Sequence, residues 1–234
     1  MRRTLGHECT RMHTNKTGAF GLALAFLPVL LAQTFPIDSV SGLTTIQVKA
    51  EADMFKGRKA VRITDAAPPT TGDAGRLALV SGTQFQDGVI EIDMAGDVMP
   101  GAAQGARGFV GMVFRAAPDA SKFECFYLRP TNPRSDDQVR RNHSAQYGAQ
   151  PEYDFDRLRK ESPDKYESYV DLEPGVWTRY RIVIEGTKAR LYVHDAAQPC
   201  LIVDDLKLGD SEGPVALWVG PGTEGYFANL KITQ

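Results

Sequence analysis

Trp177–His194, WTRYRIVIEGTKARLYVH, is the stretch whose reading decides the fold. Ile182 and Ile184 fall on one face of an extended chain, while Arg181 and Glu185 fall on the other. Side chains with a period of two describe a strand that buries one side. Glu185-Gly186-Thr187-Lys188 carries the turn chemistry of a hairpin, and Ala189–His194 alternates again on the way back. The same pattern recurs at Phe85–Val98, Phe109–Arg115, Phe123–Arg129, Leu201–Leu206, Val215–Val219 and Tyr226–Thr233. Leu43–Lys49, Ala60–Thr64, Leu77–Val80 and Tyr166–Leu172 are further strand segments. Gly and Pro punctuate the chain between them, including Pro68-Pro69, Gly72 and Gly75. Only Asp154–Glu161 reads as a helix, ended by Ser162-Pro163. Many short strands with frequent turns indicate an all-β sandwich or barrel. In a two-sheet antiparallel sandwich, parity places Ile90, Ile92, Val110, Met112, Phe114, Phe126, Ile182, Ile184, Leu217 and Val219 inside. Trp177 and Trp218 sit in the same patterns and also read as core.

The amino terminus reads as a targeting segment, with residues 1–33 a signal peptide and 34–234 one domain. Lys16 precedes the apolar run Ala19–Ala32, which is too short for a spanning helix and suits a secretory signal. Met12 is an alternative start, and cleavage is expected near Ala32 or Gln33. Arg2-Arg3 matches a twin-arginine signal only with a long spacing to the run, and a retained anchor is the competing reading. No membrane span is expected once the leader is gone. Removing Arg2, Arg3, Arg11, Lys16 and Glu8 with the leader moves the formal charge from -2 to -5. Such an acidic protein has no general attraction for nucleic acid, so an anion site has to be local. Secretion would allow Cys125 and Cys200 to pair, though both also fit buried free thiols.

The order of four motifs resembles the concanavalin A-like lectin and glucanase superfamily. They are F-x-D-G-x-I-E-I-D at Phe85–Asp93, G-F-V-G-M-V-F-R at Gly108–Arg115, the opening hairpin, and G-Y-F-A-N-L-K-I-T at Gly225–Thr233. The resemblance runs from Leu43 to Thr233 and is nearest to laminin-G-like domains and bacterial 3-keto-disaccharide hydrolase-like proteins. It implies a jelly roll of two curved antiparallel sheets whose concave face binds glycans.

Chemistry concentrates in Phe123–Tyr147, FECFYLRPTNPRSDDQVRRNHSAQY. Its first half alternates as a strand, and Pro130 removes a backbone donor where the ladder stops. Its second half is polar and keeps a His and a Tyr, which argues for a functional loop over a disordered one. Arg115, Tyr127 and Arg129 are expected to share a sheet face as ligand contacts, since the guanidinium fork suits carboxylates and vicinal hydroxyls. Mid-strand Gly111 reads as room for a ligand or for a close backbone contact. Asn132, Arg141, Asn142 and Gln146 are the loop's ligand contacts, with His143 and Tyr147 as a catalytic acid/base pair. That inventory is similar to that of jelly-roll polysaccharide lyases, whose strand motifs R-(T/S)-E-L-R and Y-F-K-x-G are absent here.

Glu91 and Asp93 are a second catalytic candidate. Residues two apart on a strand lie about 6.5–7 Å apart on one face, a spacing compatible with paired carboxylates. The strand resembles the E-x-D-x-x-(x)-E nucleophile strand of family-16 glucanases, but Asp97 replaces the third Glu and Gly96 is expected to break the strand. The competing reading makes both acids the wet face of an outer strand. No cofactor is expected. Asp136-Asp137 and Asp204-Asp205 meet no calcium-loop spacing, so structural calcium has no motif behind it. The expected partner is an oligo- or polysaccharide, including an acidic one, and the oligomeric state is left open. The expected function is a secreted or periplasmic carbohydrate-binding jelly roll that holds a glycan on its concave sheet face and the 129–147 loop, with a glycan lyase or hydrolase on the same surface, or a laminin-G-like protein-contact module, as alternatives. Convergence of Arg115, Tyr127, Arg129 and His143 in one cleft would favour a glycan site.

Overall fold

The computed structural model describes residues 32–66 and 75–234. The leader therefore lies outside the described residues except for Ala32 and Gln33, and so do Pro68, Pro69 and Gly72. The first strands are β1 (Ala32–Phe35), β2 (Leu43–Ile46), β3 (Val48–Phe55), β4 (Arg58–Asp65) and β5 (Leu77–Val80). They are followed by β6 (Gly88–Val98), β7 (Val110–Phe114), β8 (Phe123–Leu128), β9 (Ala145–Gln150) and β10 (Glu167–Ser168). The chain closes with β11 (Thr178–Glu185), β12 (Lys188–Val193), β13 (Leu201–Val203), β14 (Ala216–Val219) and β15 (Thr223–Thr233). Among the described residues, two short α-helices, α1 (Gln138–Asn142) and α2 (Phe155–Glu161), and a 3-10 turn at Asn132–Arg134 interrupt the pattern. Among the described residues, no helix is long and apolar enough to cross a membrane.

The strands form two antiparallel sheets. One runs β13-β12-β11-β6-β15-β4-β3, with β1 also paired to β15, and the other runs β10-β9-β8-β7-β14-β5-β2. The hairpin that opened the sequence reading is β11–β12, with Ile182 opposite Leu191. Ile90, Ile92, Ile182 and Ile184 from one sheet meet Val110, Met112, Phe114, Phe126, Leu217 and Val219 from the other in a single core. All ten are buried, as alternation predicts. Burying one such side chain is worth about 1.5–3 kcal/mol, which is why the hydrophobic face dictates the register.

Several elements differ from expectation. Leu43–Lys49 is split because Gln47 adopts a positive φ of 54°, so β2 and β3 join different sheets. Gly96 does not break β6; it pairs with Gly225, and a Cβ there would lie 2.3 Å from the Gly108 carbonyl oxygen. Tyr166–Leu172 is strand only at Glu167–Ser168. Asp154 caps α2 by accepting from the Arg157 N–H at 2.8 Å, which accounts for the helix read at that site. Cys125 and Cys200 are not bridged to each other.

A second cluster covers the outer face of the seven-stranded sheet, where Val113, Phe123, Cys125, Tyr127 and Trp218 are buried and Phe109 packs against them. Trp218 belongs here and not between the sheets. Trp177 is half-buried on the outer face of the other sheet, beside Phe55 at 5.7 Å.

Candidate functional site

The outer face of the seven-stranded sheet is floored by aromatic rings. Trp218, Gly111 and Tyr127 stand side by side on β14, β7 and β8. Gly111 has no side chain to separate its neighbours, and the Tyr127 and Trp218 rings close to 4.9 Å. A Cβ at Gly111 would lie 2.5 Å from the Phe126 carbonyl oxygen, so a close backbone contact requires glycine here. Phe109 completes the group, 6.2 Å from Tyr127 and 6.5 Å from Trp218.

Arg129 leaves β8 on the same face as Tyr127. Its guanidinium donates to the His143 carbonyl at 3.1 Å, the Tyr127 hydroxyl at 3.2 Å and Gln146 Oε1 at 3.0 Å. Gln146 is itself held, its Nε2 donating to the carbonyls of Tyr147 and Tyr166. Asn132 donates to the His143 carbonyl at 2.6 Å and accepts from Arg140 Nε at 3.1 Å. Tyr127, Arg129, Asn132, His143 and Gln146 are thus brought together. Arg129 is only 5% exposed, so most of its donors orient the site while one edge lines the cleft.

That cleft encloses about 440 Å³ between β8, α1 and the start of α2. Arg107, Arg140 and Arg159 join Arg129 around it, with Phe109 and Phe155 as apolar wall. Arg140 belongs to the polar segment that the sequence marks as functional, whereas sequence reading did not single out Arg107, Arg159 or Phe155. Their signal was weak because Arg107 stands alone in a Gly/Ala loop and the Phe155–Arg159 pair sits on a short helix outside the strand patterns. Two carboxylates are engaged closest to this charge. Glu167 binds Arg159 through both oxygens at 2.8 and 2.5 Å and lies 3.7 Å from Arg129. Asp137 caps α1, accepting from the Val139 and Arg140 N–H groups. Burial, then repulsion from Arg140 and Arg129, holds the Arg107 pKa below its ordinary value. An anion entering the cleft would relieve that repulsion.

His143 Nδ1 lies 3.8 Å from Glu167. Burial lowers the imidazole pKa, Glu167 opposes the shift, and Arg159 and Arg129 reinforce it. The ring is therefore neutral near pH 7 and able to accept a proton.

Tyr147, Arg115, Glu91 and Asp93 do not join this cleft. Residues 145–150 form β9, not loop, so adjacent Gln146 and Tyr147 point to opposite faces. Tyr147 faces the core, donates to Glu124 at 2.7 Å and accepts from the Lys207 N–H at 2.8 Å. Burial, with the Glu124 charge second, pushes its phenol pKa far up, which removes it from proton transfer in the cleft.

Arg115 lies at the turn end of the β7–β8 hairpin and Arg129 at the open end, since Phe114 pairs with Glu124 and Val110 with Leu128. Four strand residues separate the two ends by roughly 13 Å or more. Arg115 has a positive φ of 52°, and its wholly buried side chain bonds the carbonyls of Gln86, Gly186 and Gly209 and the Asp87 carboxylate. Glu91 and Asp93 point outward from the other sheet. Arg179 and Lys231 pair with Glu91, and Arg58 and Arg179 with Asp93. Arg141 bonds the Ser135 carbonyl and Asn142 accepts from Gln138; neither lines the cleft.

Among the described residues, no group of three or more His, Cys, Asp or Glu is arranged to hold a metal ion.

No family model matches the sequence, and no curated protein matches it. Solved structures do. A carbohydrate-binding module (CBM66) from Bacillus subtilis superposes with a TM-score of 0.55 at 16% identity, covering 82% of this chain and 95% of the module. A Bacillus subtilis protein of unknown function with a galectin-like fold gives 0.52 at 12% identity, covering 86% of this chain and 94% of that one. At these identities the likeness concerns fold, and this chain shares with them the jelly-roll architecture of two antiparallel sheets.

Proposed function

We propose that the protein is an exported carbohydrate-binding protein whose ligand is an oligo- or polysaccharide bearing carboxylates, held in the arginine cleft. One observation carries the reading: four guanidinium groups border a cleft whose lining carries one carboxylate, Asp137, while Glu167 pairs with Arg129 and Arg159, so positive charge is in excess. Guanidinium groups bind uronate carboxylates through charge-assisted hydrogen bonds, and the rings of Phe109 and Phe155 suit the apolar face of a sugar. The likeness in fold to a carbohydrate-binding module agrees with it. Export rests on the apolar run behind Lys16. A recessed cleft also suits a glycan better than the flat contact of a laminin-G-like module.

The test is calorimetric titration with oligogalacturonate and oligoalginate beside neutral xylo- and cello-oligosaccharides, at two salt concentrations. Binding of the acidic panel alone, weakened by salt, supports the reading; equal binding of neutral and acidic sugars overturns the charge argument.

A second reading, glycan cleavage on the same surface, is favoured by His143, a neutral imidazole on the wall beside Arg129. Product analysis on the same oligosaccharides separates the two. In an enzyme, His143→Ala abolishes turnover and leaves binding largely intact; in a binding protein no product forms and the substitution only weakens binding.

A further inference from the structure

Beside the arginine cleft lies a second hollow of about 550 Å³, and the two share Gly105, Phe109 and Phe155. Met99, Pro100, Ala102, Ala103, Ala106 and Pro221 supply most of the rest of its apolar lining. Its ionisable side chain is Asp65, whose oxygens are engaged by the Gly222 N–H at 2.7 Å and by Arg76 at 2.8 Å. Backbone donors of the loop are engaged as well: Met99 donates to Gly222, Ala102 to Met99, and Ala106 to Ala103. A sugar hydroxyl placed there would give up water and find few partners, whereas an apolar group would gain from leaving water. The loop that forms the wall, Pro100–Gly108, is rich in Gly and Ala, so small side chains keep the hollow open. Gly222 packs directly against this loop, since a Cβ there would lie 2.8 Å from Ala102 Cβ and 3.1 Å from Ala106 Cβ.

A cationic cleft and an apolar hollow with common walls match a ligand that is anionic at one end and apolar at the other. We propose that the ligand is an acidic saccharide carrying an apolar substituent, an aryl or O-acyl group, with its carboxylate among the arginines and its substituent against Phe109 and Phe155. This rests on the reading of the arginine cleft as a carboxylate site. Phe155 serves both halves: Arg129 and Arg159 lie 5.7 and 5.5 Å from its ring centre, and the ring also lines the apolar hollow. The aryl or acyl group therefore packs against a ring whose neighbours hold the acid.

Calorimetry with three probes tests the proposal: methyl β-D-glucuronide, 4-nitrophenyl β-D-glucuronide and 4-nitrophenyl β-D-glucoside. The expected order places the aryl glucuronide at least tenfold tighter than either of the others. Ala103→Trp and Ala106→Leu, which fill the hollow from two positions, should return the aryl glucuronide to the affinity of the methyl compound and leave the methyl compound unchanged. Equal affinities of the two glucuronides, or an aryl gain that survives both substitutions in folded protein, overturn the proposal while the carboxylate reading stands. Binding of the glucoside as tightly as the aryl glucuronide, or no binding of either glucuronide, overturns the carboxylate reading and the proposal with it.

Discussion

Arg129 donates to the carbonyl oxygen of His143 at 3.1 Å, so the guanidinium that follows β8 fixes the residue that ends α1. The same oxygen accepts from Asn132 at 2.6 Å. The peptide group is held from two sides, and the imidazole is thereby placed against Glu167. The cleft wall is built by a network that is structural on its inner side and exposed on its outer one.

Replacing Arg129 should cost both stability and affinity. Arg129→Ala strips donors from Gln146 Oε1 and the Tyr127 hydroxyl, and leaving buried acceptors short costs about 1–3 kcal/mol each. Arg129→Lys should recover little, because one ammonium cannot span acceptors in three directions. Urea titration measures the first effect. Calorimetry on folded variant measures the second, expected at about one to two decades in affinity. A variant with the parental midpoint and parental affinity places the site elsewhere.

Arg107 should behave in the opposite way. Its guanidinium is crowded by Arg140 and Arg129, so Arg107→Gln relieves repulsion in the empty cleft. The urea midpoint is expected to stay level or rise, while affinity for an acidic oligosaccharide falls and its salt dependence flattens. A lower midpoint with unchanged affinity would show that Arg107 serves the fold and not the ligand.

The His143 imidazole gives stability a pH dependence of defined sign. Its folded pKa lies below the ordinary value of 6.5, so the unfolded chain binds the proton first as pH falls. This contribution is fully present above about pH 6.5. It is lost as pH drops through the lowered folded value, and stability rises with pH across that window. Urea midpoints measured from pH 7.5 to 5 should decline less in His143→Gln than in the parent. Parallel curves would sink the assignment.

Tyr147→Phe separates the buried phenol from the cleft. The substitution removes the donor to Glu124 and the acceptor of the Lys207 N–H. The expected cost is about 1–3 kcal/mol, with affinity and any turnover unchanged in folded protein. Burial already raises the Glu124 carboxyl pKa against the pull of the Leu208 N–H, Tyr147 and Arg115, and losing the phenol should raise it further. The stability loss should therefore grow as pH rises and the carboxylate ionises. Loss of turnover without loss of stability would return Tyr147 to the mechanism.

The sequence by itself determined the sandwich, because alternation in β6, β7, β8, β11 and β14 assigns each side chain to a face without reference to any partner strand. Ile90, Met112, Phe126, Ile182 and Leu217 are buried for that reason. It also located Arg129, since a strand running into Pro130 and a polar segment marks the rim of a sheet. Tertiary structure decided which polar residues meet. Parity placed Arg115 and Arg129 on one nominal face, yet an antiparallel hairpin puts the ends of its two strands at opposite ends of the sheet. Residues 145–150 carry small and polar side chains, and only pairing with β8 made them a strand and sent Tyr147 inward. Arg107, Arg140 in α1, and the Phe155–Arg159 pair of α2 lie in three separate segments with no shared period. Their convergence depends on how loops fold over the sheet, and no local pattern encodes a distance between segments that far apart in the chain.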